Sequence, residues 1–374
     1  MKITRVIWTI LIAFVLIVSA VSCQGQNNQQ LFDTRLSHDL EGVSDYLQTE
    51  SVSKREPEYE SAVLGNDTET GFASTQLDRI TFALDWTPNT NHSGLFLAQQ
   101  QGFYAEKGLD VDFQESDMNF IEMVATGSAS FGIASQEQVL QARSSEAKIP
   151  IVSVAAILQS NTSGFASPVG RGIKTPHDFE NKTYSGWGTE LELAFIKTLM
   201  AKDKADFAKI NIINQSANNY IAAMESEADF AWIYWGWDGI NCELQDYPIN
   251  FILLQDIDSR LDFYSPTIIT NETVIKNNPE LIRRFLRATA KGYSLAIENP
   301  DKAVEAVLEM APELDRELVS ASQKWLSTKY VDGASIWGTM KFEKWSEFKD
   351  WMLEHGVLES DLDPAQAFTN DYLP

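Results

Sequence analysis

The stretch Asp85-Trp86-Thr87-Pro88-Asn89-Thr90-Asn91-His92-Ser93-Gly94, running on as LFLAQQQGFYAEKGLDVDF to residue 113, decides how the chain is read. Ahead of it, Ile80, Phe82 and Leu84 alternate with polar or small residues, the period-two pattern of a half-buried strand. Pro88 and the Asn/Thr cluster break the chain into a loop. Ser93 is placed to cap a helix carrying Leu95, Phe96 and Ala98, and Gly102 to stop it. A second strand is expected over residues 109–113. Strand, polar loop, helix, strand opens a βαβ unit, and the loop after its first strand lies at the carboxyl edge of the sheet, where ligands bind. Here that loop carries an indole (Trp86), an amide (Asn89) and an imidazole (His92), more chemistry than a turn requires.

The same arrangement recurs along the chain. The run FGIA at 131–134 reads as a short buried strand, and Ser135-Gln136-Glu137 opens a helix with Val139, Leu140 and Ala142 on its apolar face. The free backbone N–H groups of that helix would again lie at the sheet edge, which makes Ser135 and Gln136 ligand candidates. Residues 151–158 (IVSVAAIL) are nearly all apolar, as in a strand covered on both faces. The small polar segment 159–165 suits a crossover between lobes. A second α/β unit follows, in which Gly186-Trp187-Gly188-Thr189-Glu190-Leu191-Glu192 breaks a strand and opens a helix. Thr189 is the expected cap. Glu190 and Glu192 sit in the first turn, either complementing the helix dipole or facing a ligand.

Residues 229–239 read DFAWIYWGWDG, with three Trp and one Tyr within six positions. Flat rings around a strand-to-loop transition suit a planar heterocycle, because stacking adds to area burial. Tyr234, Trp235 and Trp237 are therefore candidates, as is Trp187 in the glycine-flanked loop before them. Residues 251–254 suggest a further strand and 264–270 a return crossover. From Pro279 the periodicity is helical, with segments at 301–310, 312–326 and 341–353. Trp325, Trp345 and Trp351 lie in these helices at packing-like spacing and are read as core.

The 374 residues suffice for one large or two medium domains. Acidic residues outnumber basic ones 53 to 29, giving a net charge of −24. That balance argues against nucleic acid as a partner, since phosphate binding needs clustered Lys and Arg. With two cysteines, Cys23 and Cys242, neither a Cys-based metal site nor an iron–sulfur cluster is expected, and no metal or cofactor is assigned.

The N-terminus reads as a targeting segment. Lys2 and Arg5 precede an apolar run over 6–21. The tetrad Ala20-Val21-Ser22-Cys23 resembles a bacterial lipobox, in which the cysteine is lipidated and becomes the first mature residue. Residues 1–22 are thus expected to be a lipoprotein signal peptide, Cys23 the lipid attachment point, and 23–76, rich in Gln, Asn, Ser, Asp and Glu, a disordered tether. The anchor implies a cell-membrane protein facing the periplasm or exterior.

The stretch DWTPNTNHSGLFLAQQQGFYAEKGLDV is similar to the opening of bacterial substrate-binding proteins that feed thiamine pyrimidine precursors to ABC importers. NPELIRRFLRATAKGY, APELDRELVSASQKWLS and DPAQAFTNDYLP resemble the C-terminal part of the same family. The resemblance implies an α/β, two-lobed periplasmic-binding-protein fold of type II. Each lobe is then a mixed sheet flanked by helices, with two crossovers as hinge. Lobe 1 is expected to be 77–160 and 267–374, and lobe 2 161–266. It also implies a non-enzymatic, monomeric receptor with an ABC permease as partner and hinge closure around the ligand.

An aminopyrimidine would stack between Trp86 and an aromatic of 234–237. Glu192 or Glu190 would accept from its amino group, and Asn89 and His92 would orient it. Riboflavin is the alternative ligand, suited by the breadth of the aromatic cluster. A pyrimidine-synthesising enzyme of the same superfamily is the alternative from another class. Its pattern needs a lysine and a histidine where this chain has Ala134 and Gln138, together with a cysteine-rich motif.

Overall fold

The computed structural model describes residues 77–116, 119–215 and 219–374. The expected signal peptide, lipidated Cys23 and tether lie outside these residues. Among the described residues, ten strands form two five-stranded mixed sheets. The strands are β1 (Asp78–Leu84), β2 (Leu109–Glu115), β3 (Phe131–Ala134), β4 (Ile151–Ala156), β5 (Ser163–Pro168), β6 (Thr183–Gly186), β7 (Asn211–Asn214), β8 (Phe230–Tyr234), β9 (Ile249–Leu253) and β10 (Thr267–Asn271). The first sheet has the order β2-β1-β3-β10-β4 and the second β7-β6-β8-β5-β9.

The two sheets follow one plan. In the first, β2, β1 and β3 are parallel and β10 is antiparallel to both neighbours. In the second, β7, β6 and β8 are parallel and β5 is antiparallel to both neighbours. In each sheet the antiparallel strand has arrived from the other: the chain leaves the first sheet after β4 and re-enters it with β10. These are the two crossovers. The carboxyl ends of β1 and β3 in one sheet, and of β6 and β8 in the other, are where the polar and aromatic loops emerge.

Helices cover the sheets: α1 (Ser93–Gln100), α2 (Phe120–Thr126), α3 (Gln136–Ser144), α4 (Glu190–Lys202), α5 (Tyr220–Met224), α6 (Ile240–Leu244), α7 (Leu254–Ile257), α8 (Glu272–Asn277), α9 (Pro279–Glu298), α10 (Pro300–Met310), α11 (Arg316–Leu326) and α12 (Phe342–Glu354). No helix among the described residues is long and apolar enough to cross a membrane. The first core is built on stacked rings: Phe131 lies 4.2 Å from Phe285 of α9, and Phe82 and Tyr104 flank the same ring at 5.8 and 5.4 Å. In the second, Phe179 stacks on Phe230 at 4.2 Å beside Phe165 and Tyr184. Rings of this size carry a large apolar area each, which is why a few of them organise each core.

Helix α12 contacts both halves. Trp345 stacks on Phe368 at 5.1 Å, while Trp351 stacks on Phe195 of α4 at 5.2 Å, and the Thr198 hydroxyl meets His355 Nε2 at 3.0 Å. Trp345 and Trp351 are fully buried, as a core role requires, and Trp325 is partly buried against the first core.

Strand ends shift by one or two residues from the sequence reading, and two helix starts differ by more. Ser93 does not cap α1. Asn89 caps one turn earlier, opening a 3-10 turn over Thr90–His92: its side-chain oxygen accepts from the Asn91 N–H at 2.9 Å, and Ser93 is already helical. The helix expected over 312–326 begins at Arg316, because Asp315 accepts from the Leu318 N–H at 2.9 Å and sets the first turn there.

Candidate functional site

The loop after β1 is held from three sides. Asn89 accepts from Asn91 N–H and donates to the Thr87 carbonyl at 3.0 Å. Its own N–H donates to His92 Nδ1 at 3.3 Å, so Nδ1 bears no proton and Nε2 is the N–H that donates to Asp85 Oδ1 at 3.1 Å. From the helical layer, Tyr330 donates to the Thr90 carbonyl and Tyr293 to the Asn91 carbonyl, both at 2.7 Å. Ser322 meets the Thr90 hydroxyl at 2.6 Å. His92 is fully buried with both ring nitrogens engaged, and Asn89 is buried with its amide spent within the loop. What the loop presents outward is Trp86, 43% exposed.

The loop after β6 is built around Glu192. Its carboxylate is fully buried and accepts four hydrogen bonds: from the Tyr184 hydroxyl at 2.9 Å, the Trp187 N–H at 3.2 Å, and the Thr189 N–H and hydroxyl at 2.9 and 3.2 Å. Thr189 returns the bond as the helix cap, accepting from Glu192 N–H at 3.3 Å. This is a complete capping box with Tyr184 added. The flanking glycines follow from it. A Cβ on Gly186 would collide with the Tyr184 hydroxyl and the Glu192 carboxyl, and Gly188 has φ +76° with Asn214 packed where its Cβ would be. The loop leaves Glu190 exposed, and Trp187 at 56% exposure.

The aromatic run splits by side. Phe230, Trp232 and Tyr234 alternate on one face of β8, with Trp232 5.6 Å from Tyr234, 5.4 Å from Phe195 and edge-on to Trp187 at 6.4 Å. Ala231 and Ile233 face the opposite core. Past β8 a π-helical turn, Trp235–Gly239, turns the chain, a distortion that recurs at functional sites. It sends Trp235 against Phe251 at 5.0 Å and Trp237 onto the core of the first sheet. The Ser322 hydroxyl donates to the Gly236 carbonyl and fixes the turn to α11. Trp235 and Trp237 are therefore not brought together with Trp232 and Tyr234.

The loop after β3 supplies the group that the sequence reading passed over. Ser135 is buried, its hydroxyl and N–H both donating to Gln138 Oε1 at 3.0 Å. Gln136 exchanges bonds with the crossover at Tyr264, accepting from its N–H and donating its own to its carbonyl, both at 2.9 Å. The next residue, Glu137, is 7% exposed, and its Oε2 meets no donor. Burial drives its carboxyl up to about 7, with the Ser135 hydroxyl offsetting part of that rise.

Glu137 faces the second sheet. Its charge, after burial, is the largest cause holding the Tyr234 phenol above its ordinary value, and the charges of Asp85 and Glu192 push it the same way more weakly. Ser265 donates to that hydroxyl from the return crossover at 3.4 Å. Trp232 Nε1 is buried beside it without an acceptor. Thus Glu137 keeps one carboxyl oxygen without a donor and acts electrostatically on the Tyr234 phenol, beside which Trp232 keeps an indole N–H without an acceptor next to the exposed Trp187. Buried polar atoms without partners are rare in folded chains, and where they cluster a ligand is the natural complement. A signal for Glu137 existed in the sequence: it is an acid at the second position of a helix that follows a fully buried strand.

Two mixed sheets flanked by helices and joined by two crossovers make the two-lobed fold of the class of periplasmic binding proteins. The alkanesulfonate-binding protein SsuA from Xanthomonas axonopodis pv. citri, bound to MOPS, shares the fold with a TM-score of 0.60 at 14% identity, over 78% of this chain and 98% of that one. Within that class the chain belongs to the NMT1/THI5-like family, whose pattern matches residues 89–303, more than half its length. It is 25% identical to the formylaminopyrimidine-binding protein of Halalkalibacterium halodurans, over 81% of this chain and 93% of that protein. It is 24% identical to the riboflavin-binding protein RibY of Chloroflexus aurantiacus, over 81% and 88%. It is also 26% identical to the 4-amino-5-hydroxymethyl-2-methylpyrimidine phosphate synthase THI11 of Saccharomyces cerevisiae, over 79% and 88%.

Proposed function

We propose that this chain is the extracytoplasmic receptor of an ABC importer and captures a thiamine pyrimidine precursor between its two sheets. The observation that carries this reading is at the sheet edges, where Trp232 offers a free donor beside the rings of Trp187 and Tyr234, and Glu137, whose charge acts on Tyr234, offers a free acceptor. An aminopyrimidine has a flat face for the rings and a polar edge for the carboxyl and indole. Trp86 is the ring contributed by the loop of the first sheet. Residues 77–160 and 267–374 form one lobe and 161–266 the other, closing on the two crossovers. In this reading Cys23 anchors a monomer to the membrane through the tether 23–76, and an ABC permease receives the ligand.

A binding role fits better than synthesis. Ala134 is a buried methyl at the end of β3, and the Gln138 side-chain oxygen is spent on Ser135. A flavin is the second reading, favoured by the continuous aromatic surface from Trp187 through Trp232 to Tyr234 and by the similarity to a riboflavin-binding protein.

The test is a titration of the full chain, unfolded and refolded to strip bound ligand, with formylaminopyrimidine, hydroxymethylpyrimidine, thiamine and riboflavin, followed by calorimetry and Trp fluorescence. Tight binding of a pyrimidine alone is expected. Riboflavin binding alone would keep the receptor and replace the ligand, and turnover of a bound pyrimidine would replace the receptor with an enzyme.

A further inference from the structure

We infer that Glu137 is the specificity-determining acid of the cleft, and that it holds an aminopyrimidine edge through two hydrogen bonds that share one proton between carboxyl and ring. This rests on the receptor reading above. The loops after β1 and β6 offer three other acids, and the contacts of each differ from those of Glu137. Glu192 has four donors already and no oxygen to spare. Glu190 is exposed without a partner in the loop. Asp85 accepts from His92. Glu137 alone among them keeps a buried oxygen without a donor.

The chemistry follows from the edge to be read. A 4-aminopyrimidine presents an amino N–H beside a ring nitrogen lone pair. An ionised carboxylate satisfies the N–H but sets its second oxygen against that lone pair. One added proton, on the carboxyl or on the ring nitrogen, turns the repulsion into a second hydrogen bond. Either placement gives the same bound species, with the proton lying between Oε2 and the ring nitrogen, and charge-assisted pairs of this type are strong.

The surroundings favour retaining that proton. The Glu137 charge acts on Tyr234 of β8, Ser135 is the polar side chain that acts on the carboxyl, and the neighbouring Gln136 is bonded to Tyr264 of the crossover; none of these is a cation. Lys344 of α12, the cation on the adjoining helix, is tied to Asp262 at 2.6 Å. Among the described residues no cation is paired with Glu137, and burial lets the carboxyl hold its proton up to about pH 7.

The experiment is calorimetric titration of the stripped full chain with formylaminopyrimidine between pH 6 and 9, in buffers of different ionisation enthalpy, for wild type, Glu137→Gln and Glu137→Ala. Thermal scans establish that each variant is folded. Wild-type affinity is expected to fall about ten-fold per pH unit above pH 7, with uptake of one proton. Glu137→Gln offers the same acceptor and donor without titrating, so its affinity should be nearly flat over that range. Glu137→Ala should bind at least about thirty-fold more weakly at pH 6. Wild-type binding that is flat between pH 7 and 9, or a Glu137→Gln variant that keeps the slope, overturns the inference and leaves the receptor reading standing. Binding of riboflavin and no pyrimidine overturns it as well, because the N–H of a flavin needs no shared proton. If no pyrimidine and no flavin binds any of the three, the receptor reading falls with it.

Discussion

The imidazole of His92 ties both ends of its own loop: Nε2 donates to Asp85 Oδ1 at 3.1 Å, and Nδ1 accepts the Asn89 N–H at 3.3 Å. A residue expected from the sequence to orient the ligand is thereby fully buried, with both ring nitrogens engaged inside the loop. His92→Ala leaves a buried N–H without an acceptor and removes a packed ring. Urea denaturation should show a loss of roughly 2–4 kcal/mol, with a weaker effect on ligand affinity under native conditions. Unchanged stability with abolished binding would return His92 to the ligand.

Glu192 makes the same point on the second sheet. Replacing it with Gln puts a donor where the Thr189 N–H and hydroxyl, or the Tyr184 hydroxyl and Trp187 N–H, now donate. Glu192→Gln is expected to lower stability by about 2 kcal/mol, read as a lower Tm, because a buried donor pair faces itself. Its binding should keep the wild-type dependence on pH, which separates it from Glu137.

Trp187 is exposed and bears no core, so Trp187→Ala should leave stability within about 0.5 kcal/mol of wild type. If it stacks on the ligand, affinity should drop by about ten-fold in a calorimetric titration. Equal affinity would remove it from the site.

The Glu137 carboxyl also sets a stability profile. Its pKa is raised from 4.5 to about 7 in the folded chain, so the folded state keeps a proton that the unfolded state has lost. Stability is then greatest below pH 4.5 on this account and declines as pH rises towards 7, by roughly 3 kcal/mol in total. Asp238, pushed up to about 6 by burial, adds a decline of the same sign. The difference between variant and wild type isolates Glu137: thermal scans of ligand-free Glu137→Gln should show a Tm advantage over wild type that is larger at pH 8 than at pH 4, by the roughly 3 kcal/mol that the titration removes.

Local pattern decided much of the architecture before any contact was known. Alternation at Ile80, Phe82 and Leu84, the apolar run of 151–158 and the helical period after Pro279 read correctly because each reports the burial of one element's own face. Thr189 read correctly as a cap for the same reason: its partner is three residues away. The two-lobed fold followed from motifs spread along the chain and was matched by the two mixed sheets.

What the sequence by itself determined, then, were the elements, their order and the loops at the sheet edges. Only the tertiary structure decided which side chains in those loops are free. Asn89, His92 and Glu192 have the chemistry of ligand contacts, yet each is spent on backbone groups that short polar loops leave unpaired. Trp235 and Trp237 follow Tyr234 directly, yet a π-helical turn sends them to other surfaces. Glu137 resembles any acid in a first helical turn until the second sheet closes over it without bringing a donor. The partners of Asn89, His92 and Glu192 lie within eight residues, but which of the nearby donors and acceptors each one engages is set by the folded path of the loop, and for Glu137 by the second sheet; no linear pattern records either.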